Sequence, residues 1–255
     1  MTAFFLKLLA CLAMLVDHSA CVFEAQLSSV HPWLYAGCRI FGRLAFPLFA
    51  FGVAEGAAHT SSPKKYLTRM FVFALISQIP FSLMVGTRNA SFTVPLLGMS
   101  VPVYASLSVM ATLFLGLAVC LSLRENKPFW GAFAIAAAVI LDRTVGMDYG
   151  LLGVLFVFAL YLSRNTKPGL IFTMLAFAVC FYLAPVRQLI AKLAAGGSEA
   201  ELTVSLMKCA AMASASVFVL LYNRREGKKA KLYFYFFYPV HMLLLWGLWM
   251  IDRSI

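Results

Sequence analysis

The sequence predicts an all-α protein, a polytopic bundle of transmembrane helices that forms a single integral membrane domain over residues 1–255. Two observations predict it. Of the 255 residues, 62% are hydrophobic and only 12% are charged, which is far from the composition of a soluble domain. Apolar windows of about 20 residues, each long enough to cross a bilayer, follow one another with short gaps.

These windows predict about nine spans. The fifth and sixth are short, and the segment 142–148 between them is expected to be partly buried. The predicted spans are 3–23, 35–58, 66–86, 101–123, 129–142, 149–163, 169–186, 202–222 and 232–251. The segments 24–34 and 187–201 are predicted to be external loops, and a short interfacial helix within 187–201 is an open alternative.

The distribution of Lys and Arg predicts the orientation, because cytoplasmic loops carry the excess of basic residues. With the N-terminus inside, five basic residues fall on the external side: Arg88, Arg143, Arg187, Lys192 and Arg253. Eleven fall on the cytoplasmic side: Lys64, Lys65, Arg124, Lys127, Arg164, Lys167, Arg224, Arg225, Lys228, Lys229 and Lys231. The net charge of +11 therefore indicates basic cytoplasmic loops beside a lipid bilayer, and no nucleic-acid partner is expected.

The second predicted span is unusually polar. It carries Arg39, Arg43, Pro47, Glu55 and His59. A charged side chain near the bilayer centre costs about 2.5–3.5 kcal/mol on insertion scales, which a passive anchor has no reason to bear. Residues four apart share a helical face, so the two guanidinium groups are expected side by side. They either pair with other helices to fix packing or form a buried polar site.

Other spans contribute polar residues at a similar predicted depth, between the midplane and the outer surface. They are Asp17, His18, Gln78, Asp142, Asp148 and His241. A histidine near neutral pKa can take a proton from an amine or hydroxyl, and an arginine can stabilise an oxyanion. No serine or cysteine lies in a nucleophile motif, which favours direct transfer to an acceptor over a covalent intermediate.

The six cysteines do not predict a metal site. They are scattered through apolar segments, without CxxC or Cys/His ligand spacing. They are read as small buried hydrophobic residues, so neither a disulfide nor a bound metal is expected.

Several stretches resemble the TraX family of bacterial multi-pass membrane proteins, which is associated with N-terminal acetylation of conjugative pilin. The chain departs from the family around Ser106–Ser108, where the family tends to have an asparagine. The similar stretches are LVDHSACVF (15–23), RIFGRLAFPLFAFGVAEGAAHT (39–60), KKYLTRMFVFALISQIPFSL (64–83), DYGLLGVL (148–155) and YNRREGKKAKLYFYFFYPVHMLLL (222–245).

The resemblance implies an acetyl-CoA donor and an amine acceptor, such as the N-terminus of an exported pilin, at the bacterial inner membrane. His18 is then the expected general base, with His241 the competing choice. A weaker likeness to membrane acyltransferases that use a histidine in an early span favours His18. Asp17, Arg39, Arg43 and Asp148 complete the expected catalytic group.

Two further groups of residues follow from the same resemblance. Substrate binding is expected at Gln78, Asp142, Tyr238, Glu55 and His59. The phosphates of acetyl-CoA are expected at Lys64, Lys65, Arg69, Arg224, Arg225 and Lys228.

Two alternatives stay open from the sequence. One is O-acylation of a surface glycan or lipid, and the other is a small proton-coupled transporter or flippase. Intramembrane His, Asp and Arg also build proton relays, although the sequence shows no inverted repeat that would favour transport.

Overall fold

The fold is a helical bundle with one small β-hairpin. The computed structural model describes residues 1–96, 99–194, 199–228 and 230–254. Within these residues there are eleven helices: α1 (Ala3–Val22), α2 (Glu24–Val30), α3 (Pro32–Gly42), α4 (Ala45–His59), α5 (Pro63–Gly86), α6 (Val109–Arg124), α7 (Pro128–Thr144), α8 (Gly150–Ser163), α9 (Lys167–Ala194), α10 (Glu199–Leu220) and α11 (Lys231–Ser254). The strands are β1 (Phe92–Leu96) and β2 (Met99–Val103).

The prediction of an all-α transmembrane bundle is confirmed. In the described residues six helical segments are long and apolar enough to cross a membrane, and two shorter apolar helices, α6 and α8, accompany them. The six are Ala3–Val22, Trp33–His59, Pro63–Gly86, Lys167–Ala194, Glu199–Leu220 and Leu232–Arg253. The count of nine spans and the inside position of the N-terminus stay predictions.

The chain divides into two compact units. Unit 1 comprises Met1–Ala20, Glu24–Phe49 and Ser163–Lys229, and in it α10 packs against α9 and α3. Unit 2 comprises Cys21–Phe23, Ala50–Leu162 and Ala230–Ile255, and in it α5 packs against both α6 and α11. The expectation of a single integral domain stays a prediction.

The predicted fourth span, 101–123, is wrong in its first third. Residues 99–103 form β2, paired antiparallel with β1 so that Val94 faces Val101, and α6 begins only at Val109. Pro102 removes a backbone donor in this region, which disfavours a helix interior. The hairpin also approaches α5 closely: a Cβ on Gly86 would lie 2.4 Å from the Pro102 carbonyl oxygen.

The predicted second span, 35–58, is two helices rather than one. The helix ends at Gly42 and restarts at Ala45, because Pro47 lacks the N–H that would bond to the Arg43 carbonyl. In its new position Pro47 lies in the first turn of α4, where no N–H is needed.

Both predicted external loops are largely helical. Within 24–34 lie α2 and the start of α3, whose first turn is capped by His31: its Nδ1 accepts a hydrogen bond from the Trp33 N–H at 3.2 Å. In the segment 187–201, where a loop with a possible short helix was predicted, the helix is the end of α9, which continues through Pro185 to Ala194, and α10 begins at Glu199. Residues 195–198 lie outside the described residues.

Candidate functional site

An ionic cluster lies in the membrane-spanning part of unit 1. Asp17 from α1 meets the two arginines at the end of α3, and we call these three residues the Arg–Asp cluster. The Arg39 Nη1 lies 2.8 Å from one Asp17 carboxylate oxygen, and the Arg43 Nη2 lies 2.9 and 3.0 Å from the two oxygens. The sequence prediction that these residues belong together is therefore supported by their geometry.

The local structure explains why the cluster forms at this point. Arg39 and Arg43 are one turn apart, and the Arg43 Nε donates to the Arg39 carbonyl at 3.2 Å. Gly42 makes room for the carboxylate, since a Cβ there would lie 2.3 Å from Asp17 side-chain atoms. A glycine at this position is thus a requirement of the ion pair.

The cluster carries one more positive than negative charge. Its three side chains are only 13–19% exposed, so the surplus charge is held largely away from bulk water. The Arg39 Nε is buried and has no hydrogen-bond acceptor among the described residues. A surplus guanidinium charge with an unused donor favours the binding of an anionic group or the stabilisation of an oxyanion.

Two neighbours extend the Arg–Asp cluster. Tyr182 of α9 places its hydroxyl within hydrogen-bonding distance of the Arg43 guanidinium. The sequence analysis missed this tyrosine, because a single phenol in an apolar helix gives no distinctive pattern. His18 follows Asp17 in α1, is half-buried, and lies within electrostatic reach of the Asp17 carboxylate.

Unit 2 contains a second polar region, centred on the segment that leads into α6. The side chain of Gln78, in α5, forms hydrogen bonds with the backbone of this segment. Its amide nitrogen donates to the Ser106 carbonyl at 2.7 Å and to the Ser82 hydroxyl at 3.1 Å, while its oxygen accepts from the Ser108 N–H at 3.0 Å. These contacts give Gln78 a positioning role, and its predicted substrate-binding role is untested.

Asp148 lies in a tightly fixed turn beside that segment. Its N–H donates to the Leu107 carbonyl at 2.9 Å, and its own carbonyl accepts a hydrogen bond from the Thr112 hydroxyl. Tyr149, the next residue, has a φ of +64°, a conformation that is strained for a residue with a side chain. Such a strained conformation persists only where the surrounding contacts hold the backbone in place. Strained residues of this kind are concentrated at functional sites.

His241 of α11 is buried, with 4% exposure. Its Nδ1 lies 2.6 Å from the Phe237 carbonyl oxygen, which can only accept, so Nδ1 carries the proton. In the neutral imidazole Nε2 is then the basic nitrogen. The ring also stacks on Phe237, with 4.8 Å between centroids, and makes an edge contact with Tyr238.

Three buried hydroxyl groups in unit 2 have no hydrogen-bond partner among the described residues. They belong to Ser77, Ser108 and Tyr238, and we call them the hydroxyl cluster. A buried polar group without a partner costs about 1–3 kcal/mol, so three in one unit need an explanation.

Asp142 has a local structural role. Its Oδ2 accepts a hydrogen bond from the Leu151 N–H at 3.2 Å, close to the start of α8. A carboxylate at a helix N-terminus satisfies an otherwise unpaired donor and complements the helix dipole. The predicted substrate-binding role of Asp142 is untested.

Glu55 and His59, at the end of α4, pair with one another. The His59 Nδ1 lies 3.0 Å from the Glu55 carbonyl oxygen and 3.7 Å from its carboxylate. His59 is exposed, as expected for a helix end. Arg124, which the sequence analysis did not select, caps the same helix through the carbonyls of Ala57 and Thr60, at 2.8 and 2.9 Å.

The basic residues predicted to bind phosphates occupy two segments. In unit 2, Lys64 and Lys65 are exposed, whereas Arg69 lies between the rings of Tyr66 and Tyr235, 5.6 and 5.4 Å from their centroids. Arg69 is therefore held by cation–π contacts.

In unit 1, Arg224, Arg225 and Lys228 are exposed, and Lys229 lies outside the described residues. The chain start pairs with this segment, since the Ala3 N–H donates to the Arg225 carbonyl at 2.9 Å. The chain start and the segment 224–228 are therefore neighbours, and their predicted cytoplasmic location stays a prediction.

Comparison with known proteins identifies the family. A family described as TraX protein matches residues 3–249, nearly the whole chain. The chain belongs to the TraX family. It is also similar to a protein named probable fimbrial assembly protein FimC, serogroup H1, from Dichelobacter nodosus, with 28% identity over 261 residues, 96% of this chain and 94% of the relative. No solved structure matches the chain.

The TraX-like stretches of the sequence carry both polar regions. Residues 15–23 and 39–60 supply all of the Arg–Asp cluster. Residues 64–83, 148–155 and 222–245 supply Gln78, Asp148 and His241. All of these residues lie within the range 3–249 that the family matches.

Proposed function

We propose that this TraX protein is a membrane-embedded acetyltransferase of the bacterial inner membrane. It moves an acetyl group from cytoplasmic acetyl-CoA to an amine at the membrane or its outer side, most directly the N-terminus of a pilin. Membership of the TraX family supports the proposal, and so does the relative named as a fimbrial assembly protein. The observation that carries it is the surplus positive charge of the Arg–Asp cluster beside a histidine.

The cluster has the parts that acyl transfer to an amine requires. The amine nitrogen attacks the thioester carbonyl and gives its proton to His18, acting as general base. The oxyanion that forms is stabilised by Arg39 and Arg43, which Asp17 holds in place. The carbon–sulfur bond then breaks, and the proton passes from His18 to the departing CoA thiolate.

Acetyl-CoA carries several phosphate charges, and the exposed basic segments are the proposed donor contacts. Neutralising Lys64 and Lys65 together, or Arg224 and Arg225 together, is expected to raise KM for acetyl-CoA more than it lowers kcat. The reason is that phosphate contacts are made equally in the ground and transition states. An unchanged KM in both double variants would show that these residues do not bind acetyl-CoA and serve only to set the orientation of the protein in the membrane.

The direct test is acetyl transfer by the purified protein in lipid nanodiscs. Acetyl-CoA and a peptide with a free N-terminal amine are supplied, CoA thiol release is followed, and the peptide is analysed by mass spectrometry. His18→Ala should lower the rate by about 10²–10⁴-fold, because that is the contribution of a positioned general base. His31→Ala, which changes an exposed histidine at the start of α3, is the matched control.

Each competing explanation gives a different outcome. A folded His18→Ala variant with near-wild-type transfer, together with an inactive His241→Ala variant, would move the base to α11. Acetyl groups found on a glycan or lipid but never on the peptide would replace the amine acceptor with a hydroxyl. No acetylated product from wild type, combined with substrate movement across vesicles, would replace the enzyme with a transporter.

A further inference from the structure

Tyr182 is a polar residue of unit 1 that the proposed mechanism does not use. It is half-buried in the otherwise apolar middle of α9. Its hydroxyl lies within hydrogen-bonding distance of the Arg43 guanidinium, and the Asp17 carboxylate and the Cys209 thiol are within electrostatic reach. The phenol therefore adjoins the charged groups to which the proposed reaction assigns the oxyanion.

Packing within unit 1 fixes the turn of α9 that carries this tyrosine. The ring of Phe181, the preceding residue, makes an edge contact with Phe46 at 6.0 Å between centroids. Phe46 comes three residues after Arg43, where the chain passes from α3 to α4. On another side α10 packs along α9 and supplies Cys209. Contacts from two other helices therefore hold Tyr182 beside the Arg–Asp cluster.

The direction of the hydrogen bond between Tyr182 and Arg43 follows from their chemistry. A guanidinium group can only donate, so the Tyr182 oxygen accepts and its own proton is left for a second acceptor. Both Asp17 oxygens already accept from Arg43, so the phenol is not needed to hold the carboxylate. A hydroxyl that accepts a hydrogen bond is polarised by it and becomes a stronger donor.

Arg43 has few donors left for a substrate. Its Nε donates to the Arg39 carbonyl, and its Nη2 donates to both Asp17 oxygens. A further N–H group is directed at the Tyr182 oxygen. The O–H of Tyr182 therefore adds a donor at the cluster and transmits part of the polarisation by Arg43 to the atom that it contacts.

We propose that Tyr182 is a further catalytic residue, which donates a hydrogen bond to the oxyanion beside the Arg–Asp cluster. The inference rests on the proposed acetyl transfer. When the amine attacks the thioester, the carbonyl π electrons move onto oxygen, and the bond from Tyr182 strengthens as this charge develops. The phenol keeps its proton, while His18 passes the amine proton to the departing thiolate. When the carbon–sulfur bond breaks, the electron pair returns to form the amide carbonyl.

Tyr182→Phe tests the proposal by removing one oxygen atom. Peptide acetylation in nanodiscs should show kcat lowered by about 10–100-fold, because a hydrogen bond to a charged group is lost. KM for acetyl-CoA should be unchanged, because the bond forms only in the transition state. Tyr222→Phe is the matched control, a half-buried tyrosine of unit 1 that should keep wild-type kcat. About 16 Å of helix separates Cys209, the neighbour of Tyr182, from the end of α10 just before Tyr222.

Replacement of Tyr182 by 3-fluorotyrosine separates donation to the oxyanion from support of Arg43. Fluorine makes a phenol more acidic, so its O–H donates more strongly while its oxygen accepts more weakly. A tyrosine that donates to the oxyanion should therefore give kcat at or above the wild-type value. A tyrosine that only accepts from Arg43 should give a lower kcat. Protein with tyrosine or 3-fluorotyrosine inserted at position 222 by the same method provides the controls.

The outcomes separate this inference from the proposed function. Wild-type transfer with unchanged kcat in Tyr182→Phe would overturn the role of Tyr182 and leave the proposed function intact. A lowered kcat in the 3-fluorotyrosine variant would also overturn it, since Tyr182 would then only position Arg43. A parallel fall in melting temperature and activity of Tyr182→Phe would show a structural residue. If wild type transfers no acetyl group, the proposed function fails, and the role of Tyr182 fails with it.

Discussion

Two regions of the molecule bury polar groups in different ways. One is the Arg–Asp cluster of unit 1, and the other is the hydroxyl cluster of unit 2. Both include polar atoms in helical segments long enough to cross a membrane, although Ser108 lies just before the shorter helix α6. In the first, one carboxylate forms ion pairs of 2.8–2.9 Å with two guanidinium groups. In the second, neutral hydroxyl groups are buried without protein partners. The first region therefore holds charged groups in fixed positions, whereas the second contains hydroxyl groups that have not formed hydrogen bonds with the described part of the protein.

This difference predicts opposite responses to mutation. Removing a member of a buried ion pair leaves an uncompensated charge, which is costly in a medium of low polarity. Removing an unpaired buried hydroxyl relieves a cost already present. Changes in the Arg–Asp cluster should therefore lower the free energy of unfolding strongly. Changes in the hydroxyl cluster should leave the free energy of unfolding unchanged.

The largest expected effect is that of Asp17→Asn. It leaves Arg39 and Arg43 side by side without a counter-charge, and breaking a buried pair costs about 3–5 kcal/mol. The free energy of unfolding can be measured by denaturation in mixed detergent micelles. Glu201→Gln, an exposed carboxylate in the first turn of α10, should change it by less than about 1 kcal/mol. Equal small effects in the two variants would show that the ion pairs contribute little.

Gly42→Ala should come next, because its methyl group would lie 2.3 Å from Asp17 side-chain atoms. Overpacking costs about 1–3 kcal/mol, and here it also displaces the carboxylate from the arginines. Gly37→Ala in the same helix is the matched control, since its Cβ would meet nothing within 4 Å. That control should be neutral or stabilising by up to about 1 kcal/mol, from helix propensity. A Gly42→Ala variant as stable and active as the control would contradict the close fit.

A smaller effect is expected for Gln78→Ala in unit 2. The change leaves the Ser108 N–H and the Ser106 carbonyl without their side-chain partner, at a cost of about 1–2 kcal/mol. Because Gln78 positions the start of α6, kcat should fall as well. Gln26→Ala on α2 provides the comparison for a glutamine with an exposed side chain. Unchanged thermal unfolding of Gln78→Ala would remove its positioning role.

Sequence reasoning succeeded where one dominant physical constraint acts. The thickness of the bilayer makes long apolar runs such as α5 and α10 recognisable as spans, and helical periodicity places Arg39 beside Arg43. The sequence predicted a similar depth for Asp17 and these arginines, and the structure adds that they form ion pairs. Pro47 indicated the break at residues 43–44. The residue at which the helix restarts depends on local capping contacts, which cannot be recognised within a continuous apolar run.

Long-range contacts explain what could not be predicted. The apolar run that contains Val101 suits a strand or a helix equally, and docking against Gly86 decides between them. The contact of Tyr182 with Arg43, and that of Tyr238 with Ser108, join helices far apart in sequence. Gln78 was selected from the sequence as a polar residue within a span, but the backbone that it binds belongs to a segment wrongly predicted as a helix.

The most direct test of the account is acetyl transfer by Arg43→Lys. Lysine keeps the positive charge but loses the planar group whose Nη2 contacts both Asp17 oxygens while Nε reaches the Arg39 carbonyl. The rate of peptide acetylation should fall at least about 100-fold, as when one oxyanion donor is removed. Acetyl-CoA affinity and cooperative unfolding should be retained. A folded Arg43→Lys variant that acetylates the peptide at the wild-type rate would contradict the assignment of the oxyanion to the Arg–Asp cluster.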